Sequence, residues 1–276
     1  MADHSWAVPV MRAGYFGRGA TYLAVAGLSL WAIWRGGEAK GTSSAMESLS
    51  TSAWGLSVLW IMALGLLAYA VWRIVDAAAD LEDHGLDAHG IVARTGMTVT
   101  GLLHGGLGLV AVATALGLRD GSGGIPGAVG RVLDLPGGRW ILAAGALVTI
   151  GTSLYYLHKA WTAGHRKSLM ANHFTRHWDW MLRAGVAAQG VIVLLIGIFL
   201  GFAALGSDAS DAGGLDKVFD WLKDQPFGNA LVNALCLGLV GFAFFCFVNA
   251  AWRIIPKVSH GSVESLADRI ESAVSR

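Results

Sequence analysis

Few side chains in this sequence could carry chemistry, and most of those lie in apolar surroundings. Three arginines open apolar stretches in the same way, at Arg12-Ala-Gly14, Arg94-Thr-Gly96 and Arg183-Ala-Gly185. Brought together, three guanidiniums would bind a phosphate, a lipid headgroup or another anion through forked, charge-assisted hydrogen bonds. Held apart, each would anchor its helix at one membrane face by snorkelling, and that reading is favoured. Six residues after each arginine stand Arg18, Thr100 and Gln189, polar in all three cases. Four residues further come Tyr22, His104 and Val193, which share the same helical face. His104 is the deepest ionisable residue. A group at that depth marks an ion or proton path, although a lone neutral histidine also holds helices together by donating to a neighbouring carbonyl. Arg18, Thr100, His104 and Gln189 form the candidate polar layer, and Arg12, Arg94 and Arg183 the candidate anion or headgroup ring.

Other chemistries find less support. Haem in a membrane protein is commonly held by histidine, but His104 and His158 fall at different depths and His104 has no counterpart in the other two segments. His173 and His177 have the i, i+4 spacing of a metal pair. They sit among His165, Arg166, Lys167 and Arg176 with no acid before Asp179, which suits a basic, headgroup-facing segment better than a metal site. No glycine-rich phosphate loop, nucleophile elbow, cysteine cluster or intramembrane carboxylate pair is found. Cys236 and Cys246, ten residues apart on one helix, are too far apart to bridge. The expectation is a protein that is not an enzyme and carries no cofactor or metal.

The elements that must position these residues are membrane helices. Of 276 residues, 54% are hydrophobic and only 14% charged, and the mean hydropathy is +0.54. A net charge of +1 gives no basic surface for nucleic acid. Stretches free of Asp, Glu, Lys and Arg cover 19–34, 48–72, 95–118, 140–158, 184–207 and 225–252. About 20 apolar residues at 1.5 Å each cross the hydrocarbon core. Six spans are therefore expected, near 15–35, 54–75, 96–117, 139–160, 183–205 and 229–252. Their continuous apolar character selects helices over a barrel. No removable signal peptide is expected, because no short apolar run near the N-terminus is followed by a small-residue cleavage site. An even number of spans puts both termini on one side. That side would hold 13 of the 20 Lys and Arg residues, so the positive-inside rule makes it cytoplasmic. Trp34, Trp54 and Trp140 near one set of ends, and Trp161, Trp180 and Trp252 near the other, fit aromatic belts.

The arginine openings also reveal a repeat. Seven residues after each arginine comes Gly19, Gly101 or Gly190, and seven further Ala26, Gly108 or Gly197. These positions lie within about 40° of one another around a helix. The second helices align less simply. Gly65, Tyr69 and Arg73 match Gly151, Tyr155 and Lys159 by spacing. In the third copy Gly241 fits if counted ungapped from Pro136-Gly-Gly138 and Pro226-Phe-Gly228, and Gly238 fits nearly as well. An amphipathic turn at Leu215, Val218, Phe219 and Leu222 is expected to lie over the helix ends. This plan resembles the bacterial DUF1206 family, a domain of unknown function. The resemblance rests on the arginine openings, the Ala-Tyr-Ala-Val-Trp-Arg run at 68–73 and Gln225-Pro-Phe-Gly228. It implies a multi-pass membrane protein and supplies no reaction.

The expected fold is all-α: an integral membrane six-helix bundle of three parallel tandem hairpins. Repeats fall at about 12–77, 94–163 and 183–253 within a single transmembrane domain (1–253), followed by a cytoplasmic amphipathic tail (254–276). An approximate threefold bundle with the glycine-striped first helices innermost stands beside the alternative that each stripe packs on its own second helix. The tail, with Val263, Leu266, Ile270 and Val274 on one stripe, is expected to lie on the membrane or a partner. The expected function is a structural or regulatory component of the bacterial cytoplasmic membrane, with lipids and other membrane subunits as partners. The alternative is a small transporter or channel whose path is lined by Arg18, Thr100, His104 and Gln189.

Overall fold

The computed structural model describes residues 5–118, 124–257 and 264–274. They are predominantly helical, with no strand among the described residues. The helices are α1 (Ala7–Trp34), α2 (Thr42–Ser50), α3 (Ala53–Ala79), α4 (Ala88–Ala115), α5 (Gly124–Leu133), α6 (Gly138–Trp161), α7 (His173–His177), α8 (Asp179–Gly206), α9 (Leu215–Lys223), α10 (Gly228–Trp252) and α11 (Leu266–Val274). Five of these, α3, α4, α6, α8 and α10, are long and apolar enough to cross a membrane. At 28 residues α1 is as long as any, but it contains Arg12 and Arg18 and falls short of that hydropathy. Local chemistry sets the ends. Ser52 accepts from the Gly55 N–H to start α3, and Asp87 does the same for Gly90 at α4. Asp80 (φ 52°) and Ser207 (φ 55°) end α3 and α8 in the left-handed region.

The six long helices follow one another side by side in the order α4–α3–α1–α10–α8–α6. The glycines explain this order. A Cβ placed on Gly14 would fall 2.6 Å from Tyr69 Cα, and one on Gly185 would fall 2.4 Å from Gly241 C. The glycine two residues after the opening arginine thus seats a first helix on its own second helix. The positions seven and fourteen residues after the arginine do something different. Gly101 and Gly108 meet Ile74 and Leu67 of α3, Gly190 and Gly197 meet Leu157 and Ile150 of α6, and Gly19 meets Phe247 of α10. Each stripe therefore packs on the second helix of the preceding repeat, with α10 serving α1.

This corrects both expected arrangements. The first helices α1, α4 and α8 do not form an inner trio, because second helices separate them. Nor do the stripes face their own partners. The expected threefold plan also stays incomplete, since α4 and α6 of the second repeat do not pack together. At the position matching Gly14 and Gly185, a Cβ on Gly96 would meet nothing within 4 Å. A lengthwise seam remains there.

The same contacts decide the register of the second helices. Leu67 corresponds to Ile150, and Ile74 corresponds to both Leu157 and Phe247. Gly17 on Gly65 is matched by Ala188 on Gly238. So Gly238 answers to Gly65, and Tyr69 answers to Thr152 and Phe242. The spacing match of Gly65 with Gly151 is wrong by three residues, because the first-helix glycines, and not a shared Gly-x-x-x-Tyr pattern, fix how far each second helix slides.

Short helices close one end of the molecule. α2, α5 and α9 precede α3, α6 and α10, and Leu215, Val218 and Phe219 of α9 are buried as expected. At the other end the chain bridges Leu169 to Arg253 and Met170 to Ser265, and α11 sits on the turn Gly164–Ser168 with Leu266 fully buried. The tail thus packs on its own chain, while Val263 lies outside the described residues.

Candidate functional site

Arg18 stands at the centre of the helix series and is 3% exposed. Its Nη1 donates to Tyr69 Oη of α3 at 2.8 Å and its Nη2 to Tyr156 Oη of α6 at 3.4 Å. The guanidinium lies 4.9 Å from the Tyr69 ring centre, 5.0 Å from Phe242 and 5.7 Å from Tyr22. Each such cation–π contact contributes about 0.5–2 kcal/mol, more where water is excluded. Aromatic groups from four helices thus enclose one cation. Its Nε–H is buried without a partner.

The candidate layer is partly assembled. His104 packs edge-on against Tyr69 at 4.9 Å, and its Nδ1 lies 2.8 Å from the Thr100 carbonyl oxygen. Gln189 Nε2 donates to Tyr22 Oη at 3.2 Å, leaving its buried Oε1 unpartnered. Arg18, His104 and Gln189 therefore meet through tyrosines. Thr100 turns to its own helix and donates to the Gly96 carbonyl at 2.7 Å. Tyr69, Tyr156 and Phe242 escaped the sequence reading, since an aromatic residue in an apolar helix ordinarily means core. Polar-tipped tyrosines inside apolar helices were the signal that could have found Tyr69 and Tyr156.

Arg94 and Arg183 are not spent on a common ring. Arg94 Nε donates to Ala77 O (2.7 Å) and its Nη2 to Ala78 O (3.3 Å). Arg183 Nε donates to Ala160 O (2.7 Å) and its Nη2 to Trp161 O (2.8 Å). Each fork caps the last carbonyls of the preceding repeat's second helix, where backbone acceptors are orphaned and the helix dipole is negative. Arg12 is exposed.

A second charged cluster lies where α3 and α10 end. Arg73 pairs with Asp76 at 2.9 Å, as their spacing implies. Glu82 lies 3.6 Å from Arg73, accepts from Arg253 Nε at 2.8 Å, and donates its backbone N–H to Asp76. Burial alone would raise the Glu82 carboxyl, but Arg253, His84 and Arg73 outweigh it and hold it well below the ordinary carboxylate range. The Arg253 guanidinium also faces the Tyr15 ring at 5.3 Å. His173 and His177 stack at 6.2 Å, and among the described residues no three His, Cys, Asp or Glu side chains are placed to hold a metal ion. His158 is exposed.

A helical chain with five membrane-compatible helices, three arginine openings and the same helix contacts recurring from repeat to repeat is a multi-pass, internally triplicated membrane-type protein. It belongs to the family described as Domain of Unknown Function (DUF1206), whose pattern matches residues 13–80, 95–163 and 184–253. The repeat starts and ends agree with the register set by the glycine contacts. The chain is also similar to the uncharacterized protein YxxB of Bacillus subtilis (strain 168), with 25% identity over 252 residues, covering 90% of this chain and 92% of that one. No solved structure matches.

Proposed function

We propose that this protein is a six-span component of the bacterial cytoplasmic membrane, with both termini cytoplasmic, acting as a structural or regulatory partner in a membrane assembly. It is read neither as an enzyme nor as a conduit. Support for α1 as the sixth span is its length and its packing along both α3 and α10. The bias of 13 of 20 Lys and Arg toward the terminal side supports the orientation. The outer faces of α4 and α6 present Leu102, Leu103, Leu109, Leu147 and Leu154, suited to lipid or to neighbouring subunits.

The observation that carries this reading is the enclosure of Arg18. A path would need the polar layer to face water, whereas Arg18 is capped by Tyr69, Tyr156 and Phe242 and Thr100 bonds within its helix. The test is cysteine accessibility in the membrane. In a Cys236→Ser, Cys246→Ser background, single cysteines at Thr100, His104 and Gln189 are exposed to a water-soluble maleimide. Protection at all three, with a cysteine at Lys167 labelled as control, supports the closed reading. Labelling at all three would replace it with the transporter or channel reading.

A further inference from the structure

We infer that the seam between α4 and α6 holds one anionic phospholipid, its phosphate paired with Lys159 in the field of the buried Arg18 and its acyl chain lying along the seam. The inference deepens the closed, membrane-spanning reading above and rests on it.

Charge comes first. Arg73 and Arg253 are matched by Asp76 and Glu82. Arg18 and Lys159 have no acidic partner among the described residues, although Lys159 lies within electrostatic reach of Arg18, Arg73, Arg253 and Glu82. Two surplus cations in a low-dielectric interior favour an anion strongly. The Nε–H groups of Arg18 and Arg73 are buried and unpartnered, so the positive groups around Lys159 are not fully satisfied within the chain. Tyr156, whose hydroxyl accepts from Arg18, belongs to the same helix as Lys159.

Access comes second. In the first and third repeats the two helices pack closely, but α4 and α6 make no comparable contact, and Cβ atoms at Gly96, Gly106 and Gly151 would meet open space. Both helices carry large exposed apolar side chains, so a chain lying between them would be apolar on each flank. A seam open to the bilayer, bordered by the helix that carries Lys159 and meets Arg18 through Tyr156, fits an amphiphile better than a soluble anion.

The test uses the full chain purified in a neutral detergent, with native mass spectrometry of retained lipid. Dioleoyl-phosphatidylglycerol, dioleoyl-phosphatidylcholine and inorganic phosphate are the probes. The expected result is one retained phosphatidylglycerol, displaced by neither of the others. Lys159→Gln should weaken retention about tenfold, the loss of one charge-assisted hydrogen bond. Gly96→Phe, which fills the seam where no neighbour is displaced, should abolish it. Both variants should match the parent's unfolding temperature without lipid. If a variant fails to fold, the three-probe competition on the parent decides alone. Equal retention of the two lipids, or retention unchanged in both variants, overturns the proposal. Displacement by inorganic phosphate overturns the lipid as occupant. Any of these results with thiol protection intact removes the lipid site and leaves the closed reading standing, whereas thiol labelling of the layer would remove that reading itself.

Discussion

The seam makes one residue type informative at three matching positions, Gly14, Gly96 and Gly185. Replacing each by alanine adds the same methyl group to a helix interior, so intrinsic propensity changes equally, in favour of alanine by about 1 kcal/mol. Packing changes unequally. At Gly185 the new Cβ would lie 2.4 Å from Gly241 C, and at Gly14 2.6 Å from Tyr69 Cα, where ordinary contact begins near 3.4 Å. The obstacle is backbone in both cases and cannot rotate aside, so the paired helices must part by about 1 Å. Overpacking of this kind costs typically 1–3 kcal/mol. With the propensity gain deducted, Gly14→Ala and Gly185→Ala should each lose about 1 kcal/mol, or roughly 2–4 °C in unfolding temperature. At Gly96 there is no neighbour, so Gly96→Ala should hold level or gain roughly 2–4 °C. Thermal unfolding of the purified chain in neutral detergent, followed by tryptophan fluorescence, reads all three. A Gly96→Ala loss as large as that of Gly185→Ala would mean that α4 and α6 are closed together, and would refute both the seam and the account of the glycines.

Two further outcomes follow from the charged groups. Arg94→Gln and Arg183→Gln each remove a fork from two helix-end carbonyls and should each cost about 1 kcal/mol, read as a fall of roughly 2–4 °C in neutral detergent; no fall without anionic lipid would return these arginines to a headgroup role. Glu82 has a depressed folded-state pKa, so the stability it contributes is complete above its unfolded value, near 4.3, and is lost as pH falls through the lower folded value. Unfolding temperature should therefore decline below about pH 4.3 in the parent and much less in Glu82→Gln, which starts lower because Arg253 is left buried without its counter-charge; parallel curves would exclude Glu82 as the group responsible.

The spans were legible because a bilayer demands long charge-free windows, and each long helix overlaps the window expected for it. α2 was not, since Thr-Ser-Ser-Ala-Met-Glu-Ser-Leu-Ser has little periodicity of its own and buries Ala45, Met46 and Leu49 only because α3 and α9 stand beside it. The arginine openings were visible as residues but not as helix caps, since the carbonyls they serve lie 16 to 23 residues earlier in the chain. Register failed for a related reason. Tyr69 and Tyr155 share a spacing from a glycine, yet sliding is decided by the opposite helix, which a single segment does not encode. Of the candidate layer, Arg18, His104 and Gln189 were found by depth and polarity. Of the tyrosines joining them, Tyr22 was read on the same face, whereas Tyr69 and Tyr156 were missed because their rings read as core.

The meeting of α1 with α10 also governs how the molecule can be made. α1 is the first long helix to leave the ribosome and α10 the last, yet Gly19 finds its neighbour, and Arg18 one wall of its aromatic enclosure, only when α10 arrives. Until then Arg18 has Tyr69 of α3 beside it but lacks the Phe242 wall. Docking of α10 on α1 is therefore a late locking step, and a chain truncated before Gly228 would leave Arg18 without its Phe242 wall and Gly19 without Phe247.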